Sequence, residues 1–273
     1  MFFNQNIANC KLLVFDLDGT ILDKNSKISN KMIDICSKLK KQNILFTIAT
    51  GRSTKPALDY AKILGVNIPI ICLGGSLIID PINKEIIRET KIDNYVSKNL
   101  IKILDQKKYE VALYYGETLY IKKLSEWSRG YINRQNIPYV LDKDFSKNLK
   151  ENPTMILMVG NSGDIDKLEI KLHELVENSL SIVRSLPHFC EISNLNGTKF
   201  FALDFLLKKL KIKFSDVITF GNGNADIEII KNSGIGISID NSPKALLENS
   251  DMSIDSPDNH GVEKFLEKFL LNS

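Results

Sequence analysis

Short uninterrupted apolar runs alternate along this chain with stretches in which apolar residues recur every three to four positions. The first run, Leu12 to Phe15, has the pattern of a strand covered on both faces, as in a parallel sheet. It stops at Asp16, Leu17, Asp18 and Gly19, two acids separated by one residue with a turn residue behind them. Ser29 is placed to cap a helix to about Lys41, with Met32, Ile33, Ile35, Cys36 and Leu39 on its apolar side. A second run, Ile44 to Ala49, ends in Thr50-Gly51-Arg52. Ser53 then opens a helix that tolerates Pro56 in its first turn and that Gly65 ends. A third run, Ile68 to Leu73, ends at Gly74-Gly75. This strand–helix rhythm predicts a parallel sheet covered by helices.

The rhythm changes between about Pro81 and Asn194. Val111 to Tyr115 and Thr118 to Ile121, joined across Gly116-Glu117, read as an antiparallel hairpin. Met155 to Val159 and Leu180 to Arg184 read as strands flanking an amphipathic helix, Ile165 to Val176. After Gly197 the first rhythm resumes: helix Thr198 to Leu210, strand Val217 to Phe220, helix Asp226 to Ser233, strand Ile235 to Ile239 and a last helix, Val262 to Leu270. The expectation is one α/β core made of residues 1–80 and 195–273, split by an α+β insertion at 81–194.

Composition narrows the partners. The net charge of +3 comes from lysines spread along the chain, as at Lys40-Lys41 and Lys208-Lys209 on solvent faces of helices, so no nucleic-acid partner is expected. No segment approaches the ~18 apolar residues of a membrane span, and the N-terminus carries no basic export signal. Cys10, Cys36, Cys72 and Cys190 form no C-x-x-C pair and read as reduced core residues. A cytoplasmic protein is the expectation. His173, His188 and His260 have no metal-ligand spacing, and Trp127, Tyr131 and Tyr139 read mainly as packing within the insertion.

Candidate chemistry gathers at the strand ends. Residues two apart on a strand share a face, roughly 7 Å from each other, and open α/β sheets bind ligands at the carboxyl ends of their strands. Asp16, Asp18, Thr50, Gly51, Arg52, Lys199, Asn222 and Asp226 would therefore meet. Their carboxylate and amide oxygens suit a hard cation such as Mg²⁺; the hydroxyl, glycine amides and lysine suit a phosphoryl group. Lys199 falls in the first turn of a helix, where its charge opposes the macrodipole unless an anion sits there.

The motifs D-L-D-G-T at Asp16 to Thr20, I-A-T-G-R at Ile48 to Arg52, G-T-K at Gly197 to Lys199 and G-N-G-N-A-D at Gly221 to Asp226 follow one another in order. The chain resembles the haloacid dehalogenase-like phosphatases, and its insertion resembles the α+β cap of their Cof-like subfamily, class IIB. Glu191-Ile192, Asn241 and Gly261-Val262 are further marks of likeness. The resemblance implies a Rossmann-like, doubly wound core with an inserted cap. It implies hydrolysis of a small phosphorylated metabolite, a sugar phosphate or cofactor phosphate, through an aspartyl-phosphate. Asp16 would be the nucleophile and Asp18 the general acid and base. Leu17, Thr50, Gly51, Arg52, Lys199 and Asn241 would hold phosphate and substrate, and Mg²⁺ would sit at Asp16, Asp18, Asn222 and Asp226. The fourth motif departs from the family pattern: Asn222 stands where an acid is usual, and Ala225 where an asparagine is. Gly74 and Ile254 also replace a common Asn and Thr. Three readings follow: an altered Mg²⁺-dependent phosphatase, a phosphometabolite-binding relative without turnover, and, from Gly221-x-Gly223 alone, a nucleotide-binding oxidoreductase.

Overall fold

The computed structural model describes residues 7–104, 109–145, 149, 151–176 and 179–271. Five parallel strands form the central sheet: β1 (Leu12–Phe15), β2 (Leu45–Ile48), β12 (Val217–Gly221), β13 (Ile235–Ile239) and β14 (Met252–Ile254), ordered β14-β13-β12-β1-β2. Each residue of β1 is fully buried, which accounts for its unbroken apolar sequence. The next strand in sequence, β2, extends the sheet on one side of β1 and the last three on the other. The chain order reverses beside β1, the place where such sheets open a crevice. Registers align the strand ends there: Phe15 lies opposite both Phe220 and Ile48, and the Phe15 and Phe220 rings stack at 5.4 Å.

Helices α1 (Asn30–Lys41) and α2 (Thr54–Leu64) follow β1 and β2. The Ser29 hydroxyl accepts from the Met32 amide at 2.9 Å, and Gly65 closes α2 in the left-handed region with φ of 74°, both as the sequence predicts. The third apolar run differs. Its strand β3 (Ile70–Cys72) touches β2 through a single parallel bridge, Ala49 to Ile71. It then pairs antiparallel with β4 (Leu77–Ile79), which pairs with β5 (Ile86–Glu89). The tight Leu73–Gly75 turn after β3 reverses the chain. The pairing of β5 with β4 keeps the chain beside the central sheet through Glu89.

Between β5 and the next core helix lies a six-stranded sheet ordered β10-β11-β9-β6-β7-β8. Its members are β6 (Glu110–Tyr115), β7 (Thr118–Ile121), β8 (Tyr139–Leu141), β9 (Met155–Val159), β10 (Leu180–Leu186) and β11 (Phe189–Asn194), with helices α3 (Asn94–Leu104), α4 (Glu126–Gln135) and α5 (Ser162–Val176). Strand alternation divides this sheet between two tasks. Val111, Leu113, Ile156, Met158, Cys190 and Ile192 pack with α3 and α5 in a core of their own. Ala112, Tyr114, Met155, Leu157 and Phe189 belong instead to the cluster continuous with the central sheet.

After β11 come α6 (Lys199–Leu210), α7 (Ile227–Asn232), α8 (Lys244–Leu247) and α9 (Gly261–Leu266). Asp226 lies in a separate tight turn, Asn224–Asp226, ahead of α7. No helix among the described residues is long and apolar enough to cross a membrane. All four cysteines are free, and Cys36, Cys72 and Cys190 are buried.

Candidate active site

Strand β1 delivers Asp16 to a buried position. The Asp16 backbone amide continues the ladder by donating to the Phe220 carbonyl at 3.0 Å. Its side chain then meets the Lys199 ammonium at 2.7 Å and the Thr20 hydroxyl at 3.0 Å. Lys199 reaches Asp226 at the same 2.7 Å, so one cation bridges two carboxylates. All three side chains are nearly sealed, at 4%, 9% and 2% exposure for Lys199, Asp16 and Asp226. Burial pushes the Asp16 carboxyl up to about 6, against the pull of Lys199 and with the help of the Asp226 charge. Burial alone would discharge Lys199, but the two carboxylates outweigh it and raise its pKa.

The loop after β12 is wound around its own acid. Asp226 Oδ2 accepts from the backbone amides of Asn222 and Gly223 at 3.1 and 3.0 Å. A Cβ on Gly221 would come within 2.6 Å of the Asp226 side chain, so only glycine fits there. The sequence assigns Asp226 to a metal; in the structure its carboxylate meets Lys199 and two backbone amides, which fixes the lysine. Lys199 opens α6, whose N-terminus Thr198 caps through a 3.5 Å bond from the Phe201 amide. That N-terminus rests on Gly75, where an added Cβ would lie 2.1 Å from the Thr198 carbonyl carbon and where φ is +114°. Gly75→Ala should therefore cost about 2–4 kcal/mol from clash and backbone strain together. A denaturant midpoint unchanged from the parent would show that α6 is not held in this way.

Asp18, two residues beyond Asp16, is half exposed and bound by Arg52 through both carboxylate oxygens, at 2.7 Å from Nε and 2.6 Å from Nη2. The Arg52 guanidinium lies over the Tyr60 ring at 5.0 Å. Thr50 and Gly51 turn beside this pair, with Thr50 Oγ1 accepting from the Arg52 amide at 3.1 Å. Asp16, Asp18, Thr50, Gly51, Arg52, Lys199, Asn222 and Asp226 all line one cavity of roughly 800 Å³, large enough for a small-molecule ligand. Leu17 has its side chain buried in the core between the two acids, and only its backbone could serve a ligand. Asn241, which follows β13 with φ of 66°, is not among the residues lining the cavity.

The other wall comes from the six-stranded sheet and α4: Tyr131, Arg134, Gln135, Ser181, Phe189 and Glu191. Along β10 and β11, Ser181, Val183, Phe189, Glu191 and Ser193 alternate onto this wall and Arg184 joins them, a signal readable only once both strands are known to face the cavity. Tyr131 stacks on Trp127 at 5.3 Å and bonds Tyr114 through its hydroxyl at 2.8 Å, whereas Tyr139 is exposed.

Of the four oxygen donors named for Mg²⁺, Asp18 is committed to Arg52 and Asp226 to Lys199 and backbone amides. No three acidic, histidine or cysteine side chains cluster to hold a metal ion among the described residues. Asp16 Oδ1 is likewise on Lys199, but its Oδ2 meets only the Thr20 hydroxyl, so Asp16 and the neutral Asn222 keep an oxygen for a cation. Mg²⁺ binds through one or two side chains and otherwise keeps water, so this reduced pair fits such an ion, held weakly.

Comparison with known proteins places this geometry in a family. A family model for haloacid dehalogenase-like hydrolases matches residues 13–266. The 5-amino-6-(5-phospho-D-ribitylamino)uracil phosphatase YitU of Bacillus subtilis is 24% identical over 264 residues, covering 94% of this chain and 97% of its own. A solved haloacid dehalogenase-like hydrolase from Bacteroides thetaiotaomicron superposes with a TM-score of 0.83 at 24% identity, covering 95% of this chain and 99% of its own. The subclass IIB sugar phosphatase BT4131 gives 0.81 at 18% identity, with 95% and 98% covered. Ordered motifs, a switch-point crevice and a match over nearly the whole length lead to one conclusion: this chain belongs to the haloacid dehalogenase-like hydrolases.

Proposed function

We propose that the chain is a phosphomonoesterase for a small phosphorylated metabolite, working through an aspartyl-phosphate on Asp16. The observation that carries this reading is the Lys199 ammonium, held at 2.7 Å from both Asp16 and Asp226. It fixes the nucleophile's orientation, keeps a cation where phosphoryl charge must be met, and has its own position set by a second acid. Asp16 Oδ attacks phosphorus while the ester oxygen leaves with a proton. Asp18 stands next along the strand to supply that proton and later to take one from the attacking water. It must first leave Arg52, whose guanidinium is then free for a phosphate oxygen. Thr50, Gly51 and the Leu17 amide surround the same oxygens, so rate comes mainly from positioning and charge. A bound Mg²⁺, held by Asp16 and Asn222, would add neutralising charge. Residues 81–194 form the cap in this proposal, with β5 contributing the strand from which it departs. The substrate proposed is a sugar phosphate or cofactor phosphate, supported by relatives named as a sugar phosphatase and as a 5-amino-6-(5-phospho-D-ribitylamino)uracil phosphatase.

The deciding experiment is hydrolysis of a phosphoester panel with Mg²⁺ and with EDTA. Mg²⁺-stimulated release of phosphate from at least one sugar or cofactor phosphate is expected; none from any member would overturn the reading. Binding without turnover is the second reading, favoured by the bidentate Arg52–Asp18 pair and by Asn222 and Ala225. A gain-of-function pair separates the two. Asn222→Asp with Ala225→Asn restores a charge and an amide, and should tighten Mg²⁺ and raise kcat/KM by about 10–100-fold. Failure to gain on both measures would favour the binding protein.

A further inference from the structure

Helix α2 begins directly after the Thr50-Gly51-Arg52 turn, yet its N-terminus lacks a cap of its own. Ser53 makes no side-chain capping bond, and no acid lies in the first turn. The first amides of a helix have no partner within it, and a negative charge beside them is favourable. Two side chains from the cap segment fill this role. Gln135, the last residue of α4, accepts through Oε1 from the Ser53 amide at 3.5 Å and the Ser53 hydroxyl at 3.4 Å. Glu117, in the turn between β6 and β7, accepts from the hydroxyl of Thr54, a residue only 1% exposed.

The turn that carries Glu117 is itself anchored. The Gly116 amide donates to the Glu89 carboxylate at 3.2 Å and to the Thr154 hydroxyl at 2.8 Å, and Gly116 takes the left-handed backbone with φ of 55°. Thr154 donates to the same Glu89 carboxylate. Glu89 ends β5, the strand from which the chain leaves the core side. The Gly116-Glu117 turn is thus an arm fixed at its base by Glu89 and reaching the first turn of α2 with a carboxylate.

We infer that Glu117 is a positioning residue of the cap. It supplies the missing charge at the N-terminus of α2 and so holds the adjoining Thr50–Arg52 turn in its phosphate-binding form when the cap is closed. Cap closure and phosphate binding are then coupled through one contact, Glu117 to Thr54, with Gln135 to Ser53 beside it. The inference rests on the phosphomonoesterase reading for its catalytic measure but not for its binding measure.

The test uses the full chain with Glu117→Ala, Glu117→Gln, Thr54→Val and the Glu117→Ala/Thr54→Val pair. Inorganic phosphate binding is followed by calorimetry, p-nitrophenyl phosphate hydrolysis by steady-state kinetics, and cap opening by small-angle scattering. Glu117→Ala should raise Kd for phosphate and KM about tenfold, the size of one lost charge-assisted bond. It should leave kcat within about twofold, because saturating substrate closes the cap again. The radius of gyration should rise. Glu117→Gln keeps an acceptor for the Thr54 hydroxyl without the charge and should fall between. The double variant should be no worse than either single one. Independent, additive losses would overturn the inference, as would a lower melting temperature with Kd, KM and scattering unchanged. Should the parent protein hydrolyse nothing, the phosphatase reading fails, and phosphate affinity with scattering still decides the role of Glu117.

Discussion

Asp16→Asn should remove hydrolysis at least about 10⁴-fold, as loss of a covalent nucleophile does, while leaving the fold standing. The replacement matches the carboxylate in shape and can still accept from the Thr20 hydroxyl that now bonds Asp16. Lys199 would keep its partner Asp226. Because burial already pushes the Asp16 carboxyl up to about 6, removing that charge relieves a desolvation cost that offsets the lost ion pair. Single-turnover kinetics, beryllofluoride binding and a urea titration on the same variant check this. A variant that unfolds at the parental midpoint but neither turns over nor binds beryllofluoride is the expected result. Retained turnover would rule out an aspartyl-phosphate at this residue.

Lys199→Met should do the opposite to stability. The substitution leaves Asp16 and Asp226 buried on either side of an apolar side chain, with no cation between them. Breaking a buried pair by removing one partner costs about 3–5 kcal/mol, because the remaining charge is uncompensated. For a chain of this size each kcal/mol lowers the melting temperature by roughly 2–4 °C, so a fall of about 10 °C is expected. Activity should fall about 10³-fold from the lost electrostatic stabilisation. Adding Asp226→Asn to Lys199→Met should recover part of the stability and none of the activity. That split separates the two duties of the lysine, holding two acids apart and meeting the phosphoryl charge. A destabilisation below about 1 kcal/mol would mean that the triad is not buried in solution as it is here.

The apolar runs determined four of the five strands of the central sheet; the fifth, β14, follows no such run. Leu12 to Phe15, Ile44 to Ala49, Val217 to Phe220 and Ile235 to Ile239 each became a buried parallel strand within a residue or so of the predicted ends, because a strand covered on both faces favours a near-continuous apolar run; the buried Thr47, Thr219 and Ser238 fit because their hydroxyls find hydrogen-bond partners. The caps at Ser29 and Gly65 were equally legible, since each acts within a few residues of itself. The gathering of Asp16, Asp18, Thr50, Lys199 and Asp226 could also be anticipated, as parallel strands bring like ends together. What each group does there could not. In the structure Asp226 partners Lys199, Asp18 is held by Arg52, and Asn241 lies outside the cavity. Those outcomes depend on side-chain distances between segments as far apart in sequence as Asp16 and Lys199. The pairing of β3 with β4 rests likewise on one glycine turn at Gly74-Gly75. The contact of Glu117 with Thr54 depends on how the cap sits against α2. Sequence periodicity reports which face of an element is buried; only the packed structure sets which two faces meet.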